Sequence, residues 1–417
     1  MRFSGDFRVI CEDMKRGRER WWRLLGPGII SGASDNDPTT VATLAVIGST
    51  TVYALGWLVI LVIPMLAAIQ AISGRVGAVC GEGLETILKH RYGRIVALVV
   101  LIAVFVVDQL TLAADLEGGG AALQLFSGWN YRWFIVPLAA IAAATLTFAN
   151  YHVLRRFLMY VPLVFLAYVA AAFMAHPNWH AVLHETFVPH LTLDRTFTAG
   201  AIALLGTTLT AYAYVWETIE MSEERPKLMH LGLVQADAAL GTVIAGLVFW
   251  FVVIATGATL GLQHHHVETA QDAAAALAPL AGRWASALFG IGLLGSSVIA
   301  LPVLAGTSAY VAAEMFDRRK GIDARFQQAP FFYTVVIVTL AIAAGISFLG
   351  VQPIPLLFAA SIAGGLATPI TLFFVLLAAG STQLMGSFRP PFWLRLAGWI
   401  VFGIVTAAAI LYLRQVV

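Results

Sequence analysis

The chain has 417 residues, of which 59% are hydrophobic and only 12% charged. A domain built to cover itself with water-facing side chains needs roughly twice that charged fraction, so a soluble fold is excluded. The net charge of +2 is too small to indicate a nucleic-acid partner. The composition is that of an all-α polytopic membrane protein whose partner is the lipid bilayer.

The first 25 residues are basic and polar, and they read as a cytoplasmic tail rather than a cleavable signal peptide, because the apolar stretch that follows carries acids where a small-residue cleavage site would be. Eleven apolar spans follow, at about 26–50, 53–78, 95–126, 133–149, 153–175, 197–223, 232–262, 282–316, 331–349, 354–380 and 392–413, each near or above the ~20 residues that cross a bilayer. Lys and Arg test this scheme. The tail and the loops after the even-numbered spans hold 21 of the 25 basic residues, and the other face has only Arg132, Arg195, Arg283 and Arg414. By the positive-inside rule the amino terminus is cytoplasmic and, with an odd span count, the carboxyl terminus outside, as in a multi-pass protein of the cell's inner (plasma) membrane. Cys11 and Cys80 are isolated and suggest neither a disulfide nor a thiolate metal site.

Span 1 is interrupted at its centre by Asp35-Asn36-Asp37-Pro38-Thr39-Thr40. An ionised group at bilayer depth costs about 2.5–3.5 kcal/mol on insertion scales, so a carboxylate there needs a partner or an ion. Pro38 removes a backbone donor and biases Asp37 away from helical angles, leaving backbone groups without intrahelical partners. Carbonyls freed beside a carboxylate make a cation site.

Span 3 carries Asp108 and Asp115 seven residues apart, hence on one helix face, with Glu117 before Gly118-Gly119-Gly120. These acids suggest an aqueous ion path. Five spans after the first interruption, span 6 offers a second in Gly206-Thr207-Thr208-Leu209-Thr210-Ala211-Tyr212. Hydroxyls in membrane helices usually bond their own backbone or a neighbouring helix, so this stretch gains meaning from its position, since inverted repeats of five spans are a common carrier plan. The expected organisation is a tail (1–25), a first repeat (26–175), a second repeat (197–380) and a last span (392–417). Glu217, two turns beyond Thr210, lies too deep to be dismissed as a snorkelling helix end, unlike Glu220, Glu223 and Glu224. Glu314 pairs with Arg318 at i,i+4 and needs no function. Seven of the ten histidines lie in loops of the non-basic face, at 176, 180, 184, 190 and 264–266, where solvated imidazoles are more common than metal ligands.

Gly26-Pro27-Gly28, Asp37-Pro38-Thr39-Thr40-Val41-Ala42-Thr43, Ala114-Asp115-Leu116, Ala305-Gly306-Thr307-Ser308-Ala309 and Glu314-Met315-Phe316 together resemble the natural resistance-associated macrophage protein (NRAMP) family of divalent-metal transporters, from about residue 24 to the end. The resemblance implies the inverted-repeat fold shared with the bacterial leucine transporter, with metal held between broken helices 1 and 6. It also marks departures. The family's asparagine in span 1 becomes Thr40. In span 6 its alanine, methionine, proline and histidine fall on Thr207, Thr210, Ala211 and Tyr212, and a second histidine falls on Glu217. A glutamate of span 3 falls on Gly118, a glutamine of span 10 on Ser361, and span 9 shows no arginine pair.

A thioether favours Mn, Fe, Co or Cd, whereas carboxylate, hydroxyl, carbonyl and water suit Mg²⁺ and its near neighbour Mn²⁺. These changes resemble the prokaryotic NRAMP-related magnesium-transport branch. The expectation is therefore an importer of Mg²⁺ and Mn²⁺, uncoupled or weakly coupled to protons, with Asp37, Thr40, Thr207, Thr210, Glu217 and Asp35 as metal ligands and Asp115, Asp108 and Ser361 along the ion path. No cofactor is implied, because the metal is cargo. An ordinary proton-coupled Mn²⁺/Fe²⁺ symporter, or a Na⁺-driven carrier of an organic solute on the same fold, stands as the alternative. An enzyme is disfavoured, since no nucleophile–base pair or metal triad is apparent.

Overall fold

The computed structural model describes residues 37–148, 162–224, 231–321, 324 and 326–416. Among the described residues, eight helical segments are long and apolar enough to cross a membrane, the two parts of span 6 counting as one. Spans 4 and 5, Arg132–Phe148 and Pro162–Met174, are shorter apolar helices. Span 1 enters the description as Pro38–Thr51. Each of the eleven expected spans thus has a helix or helix pair among its described residues, and spans 1 and 2 are separated by a turn at residues 52–55; the boundary between spans 4 and 5 lies outside the described residues.

The helices are arranged with the five-span offset built in. Span 1 packs against the first half of span 6, span 2 (Gly56–Cys80) along span 7 (Leu231–Thr259), span 3 (Arg94–Ser127) along span 8 (Ala285–Met315), and span 4 along span 9 (Pro330–Ser347). Elements related by an in-plane pseudo-two-fold are expected to meet in this way when the repeats clasp each other.

Span 6 is two helices, Arg195–Thr208 and Ala211–Glu224, separated at Leu209 and Thr210. No proline sits at this break. It is held from outside: the Thr368 hydroxyl of span 10 (Pro353–Gly380) donates to the Leu209 carbonyl at 2.8 Å, supplying a donor that the interrupted helix lacks. Span 10 can come this close because its Gly364-Gly365 pair faces Gly206. A Cβ on Gly206 would lie 2.0 Å from the Ser361 carbonyl oxygen and 2.2 Å from the Gly365 nitrogen, so any side chain there would push the two helices apart.

On the basic face, the helix Leu84–Tyr92 between spans 2 and 3 docks on the end of span 8. Glu314 there bonds Lys320 and accepts from the Thr86 backbone N–H at 3.1 Å. Lys89 reaches the Glu314 carbonyl at 2.8 Å and pairs with Asp317. Glu314 is thus held by Lys320 and a helix N-terminus rather than by the i,i+4 pair with Arg318 that its spacing suggests, and the role is equally structural. Glu85 is buried beside this cluster, and neither of its carboxyl oxygens has a hydrogen-bond partner among the described residues. Burial, reinforced by the charge of Glu314 and opposed by Lys89, pushes its carboxyl up to about 9.

An acid that holds its proton in the folded state but releases it near its ordinary value when unfolded makes stability fall as pH rises between those two values. Glu85→Gln should therefore be increasingly more stable than the intact protein as pH rises from about 5 to about 8, followed by thermal unfolding in detergent. A difference that stays flat across that range would contradict the assignment.

Candidate functional site

Most hydroxyls in the spans do what membrane hydroxyls ordinarily do, which is to bond a carbonyl one turn back in their own helix. Thr50, Thr147, Thr208, Thr256 and Thr259 all behave so. The hydroxyls at the opening of span 1 do not. Thr39 donates to Asp115 Oδ1 of span 3 at 2.6 Å, Thr40 meets Thr207 of span 6 at 2.8 Å, and Thr43 meets Ser361 of span 10 at 2.7 Å. Three consecutive inward positions of one helix are thus tied to three different spans.

Asp37 stands at the start of this helix in extended conformation, and Pro38 occupies the first helical position, where a missing N–H costs nothing. One carboxyl oxygen of Asp37 accepts the Thr40 backbone N–H at 2.6 Å, capping the helix, and the other accepts the Tyr212 hydroxyl at 2.7 Å from the second half of span 6. The proline and the carboxyl therefore start this helix together. Asp37, Thr40, Thr207 and Thr210 are all at most 5% exposed. The Thr210 carbonyl accepts the Ala213 N–H at 3.2 Å as the second half of span 6 begins.

The structure accordingly brings Asp37, Thr40 and Thr207 together, with Thr210 at the adjoining break and Asp115 and Ser361 one hydrogen bond away. It sets the other expected residues apart. Asp108 is fully buried and accepts from Ser308 of the span 8 Gly-Thr-Ser stretch at 2.8 Å, away from the Asp37 cluster's hydrogen bonds. Glu217 lies two turns along span 6 against span 2, where its carboxyl packs over Gly74, at which a Cβ would come within 2.8 Å of Oε1. Asp35 lies outside the described residues.

Two contributors are not among the expected site residues. The sequence marks Tyr212 only as standing where the family has a histidine, and its hydroxyl is seen on Asp37 only in the structure. Thr368 lies in another span, and only the fold puts it at the Leu209 carbonyl. Glu117 was visible only as an acid beside glycines; it is fully buried, and neither carboxyl oxygen has a hydrogen-bond partner among the described residues. Gly118 explains the local packing. A Cβ there would lie 3.0 Å from the Pro38 Cβ and 3.5 Å from Leu357, so a side chain at this position would need Pro38 to give way by a few tenths of an ångström.

Chemically, the centre offers one carboxyl, a phenol and short hydroxyls, all oxygen donors, next to a helix break. Among its described members there is no thioether, imidazole or thiol. Such a set suits a hard cation. Because the Tyr212 hydroxyl donates to a buried carboxyl oxygen, Tyr212→Phe should cost about 1.5–3 kcal/mol of folding stability, read as a lowered unfolding temperature in chelator-treated detergent solution.

The profile of the family described as natural resistance-associated macrophage protein-like matches residues 28–415. A relative named divalent metal cation transporter MntH, from Verminephrobacter eiseniae, is 25% identical over 394 residues, covering 92% of this chain and 87% of its own. Its namesake from Deinococcus radiodurans is 25% identical over 413 residues, covering 94% and 89%. Among solved structures, a manganese transporter of Eremococcus coleocola superposes with a TM-score of 0.73 at 18% identity, covering 94% of this chain and 87% of that one. The transporter MhsT in complex with L-phenylalanine superposes with a TM-score of 0.57 at 15% identity, covering 92% and 98%. These likenesses establish the inverted-repeat transporter fold.

Proposed function

The chain belongs to the natural resistance-associated macrophage protein family, and from that premise we propose that it is an alternating-access carrier that imports divalent cations, favouring Mg²⁺ and Mn²⁺, with little or no proton coupling. Transport of divalent metal is what the names of its relatives share, and manganese is the cargo named for the structural neighbour. The observation that carries the finer reading is the oxygen-only lining around Asp37, where Thr40 meets Thr207 and Tyr212 holds the carboxyl. Mg²⁺ dehydrates reluctantly and keeps several waters, and short hydroxyls leave room for them where longer ligands would not.

Weak proton coupling is supported by Gly118, which carries no acid where the family has one and where a Cβ would press on Pro38 at 3.0 Å. In this reading Asp37, Thr40, Thr207 and Thr210 hold the ion, and Glu217 and Asp35 supply negative charge along its way. Asp115, Asp108 and Ser361 line the path. Residues 26–175 and 197–380 are the two inverted repeats, the amino terminus is cytoplasmic and the carboxyl terminus outside. The protein lies in the cell's inner membrane.

The hydroxyl pairs Thr40–Thr207 and Thr43–Ser361 join spans 1, 6 and 10 on the carboxyl-terminal side of the span 1 break. With the amino terminus inside, that is the outer side. Breaking these two pairs is then the step that opens the site outward, and each exchanges one hydroxyl partner for water at little net cost.

Proteoliposomes loaded with a pH dye should take up both Mg²⁺ and Mn²⁺ without acidification, and Asp37→Ala should abolish uptake of both. Mn²⁺ uptake accompanied by acidification would return the protein to proton-coupled symport, and absence of any cation uptake would favour an organic solute. Thr210→Met restores a thioether at the span 6 break, and the ratio of Cd²⁺ to Mg²⁺ uptake should rise by about tenfold or more, equivalent to about 1.4 kcal/mol of discrimination.

A further inference from the structure

Between spans 5 and 6, on the face away from the basic loops, a short helix Trp179–Phe187 is capped by Asn178, whose side chain accepts the Ala181 N–H at 3.2 Å. The helix is fixed to the body of the protein by Thr186, whose hydroxyl accepts the Trp250 indole N–H of span 7 at 3.0 Å. From it an extended strap, residues 188–194, runs to Asp194, which caps the first half of span 6 by accepting the Phe197 N–H at 2.7 Å. Gln415 at the end of span 11 donates to the Leu193 carbonyl at 2.8 Å and holds the strap down.

Three side chains converge where helix and strap meet. His184 Nδ1 lies 3.7 Å from one oxygen of Glu185, and His190 Nδ1 lies 3.6 Å from the other. The two imidazole rings are 5.5 Å apart between centroids, inclined by 33°. One ligand atom from each residue can be chosen so that all three fall within 4.8 Å of one another. Ligands around a tetrahedral ion at Zn–N distances of about 2.1 Å are about 3.4 Å apart, so small rotations of these half-exposed side chains close the site. The His190 Nδ1 also lies 3.1 Å from the Val188 carbonyl; in the tautomer that donates there, Nε2 is the nitrogen left to bind a metal, the arrangement in which a second contact orients a metal-binding imidazole. His180, one turn before His184 on the same helix face, stands next to the group.

We infer that His184, Glu185 and His190 form a surface binding site for a borderline transition-metal cation such as Zn²⁺, Co²⁺ or Ni²⁺, separate from the oxygen-lined centre at Asp37. The donor chemistry separates the two sites. Two imidazoles and one carboxylate select borderline metals over Mg²⁺, whereas the hydroxyl-lined centre has the opposite bias. Three protein ligands leave a fourth position for water, so the ion is open to exchange with solvent. The ligands also come from both sides of the helix–strap junction, so an ion there cross-links the anchored helix to the segment that leads into the first half of span 6.

The inference does not depend on what the protein transports, and its test reads binding alone. Co²⁺ is titrated into the purified full-length protein in detergent, and the visible d–d absorption of a tetrahedral site with nitrogen ligands is followed. The band is expected in the intact protein and in Asp37→Ala. It is expected to vanish in His184→Ala/His190→Ala, with Co²⁺ binding at this site weakened by at least about tenfold. His264→Ala/His266→Ala, altering exposed histidines of the loop between spans 7 and 8, should leave it unchanged. A band that survives His184→Ala/His190→Ala, that disappears with Asp37→Ala, or that never forms in the intact protein would overturn the assignment.

Discussion

Asp37 is bound from two directions at once, and the arrangement of the centre follows from that. One oxygen ends the helix it belongs to by taking the Thr40 N–H; the other is taken by Tyr212 from the far side of a second broken helix. Hydrogen bonds offset much of the cost of burying a carboxyl at this depth, and these two fix where the helix Pro38–Thr51 begins and how the second half of span 6 is turned. The threonines that follow then fall into place. Residues 39, 40 and 43 lie on the inward side of the new helix and reach spans 3, 6 and 10 in turn.

Close backbone approach makes those reaches possible. Hydroxyl side chains are short, and they bridge helices only where small residues let the helices touch. Gly206 against Gly364-Gly365 brings span 10 to span 6, and Gly118 against Pro38 brings span 3 to span 1. In both places the glycine matters for the Cβ it lacks and not for unusual backbone angles. The same closeness that allows hydroxyl bridges forbids longer ligands at these points. Small lining residues and an all-oxygen donor set are therefore two results of one packing solution, and both suit an ion that travels with part of its water.

Away from the centre, charge is distributed by a different logic. On the basic face, Lys89, Lys320, Glu314 and Asp317 pair around a helix N-terminus and leave Glu85 buried among them, an assembly that fastens the helix between spans 2 and 3 to the end of span 8. On the opposite face the loops carry seven imidazoles, and three ligand-bearing groups gather at the entry to span 6. The centre, the inner cluster and the outer histidines thus use carboxyl with hydroxyl, ammonium with carboxylate, and imidazole with carboxylate. Each combination has its own preference among cations, protons and solvent.

The sequence by itself determined the membrane class, the apolar spans and the helix start at Asp37-Pro38, because bilayer thickness, the cost of buried charge and proline's missing N–H act on local sequence. It also indicated the second break, though only through its five-span offset from the first, since Gly206 to Tyr212 contains no helix-breaking proline. Only the family resemblance, not the local pattern, separated Thr207 from Thr208. In the structure one bonds across to Thr40 and the other to its own helix at Leu204. Which acids share the centre was likewise decided by tertiary structure: Asp108 and Asp115 lie on one helix face, yet Thr39 claims one and Ser308 the other. Tyr212, Thr368 and the meeting of His184, Glu185 and His190 were settled only by the fold, because a hydroxyl or an imidazole carries no sign of its partner until packing brings a distant segment within about 3 Å.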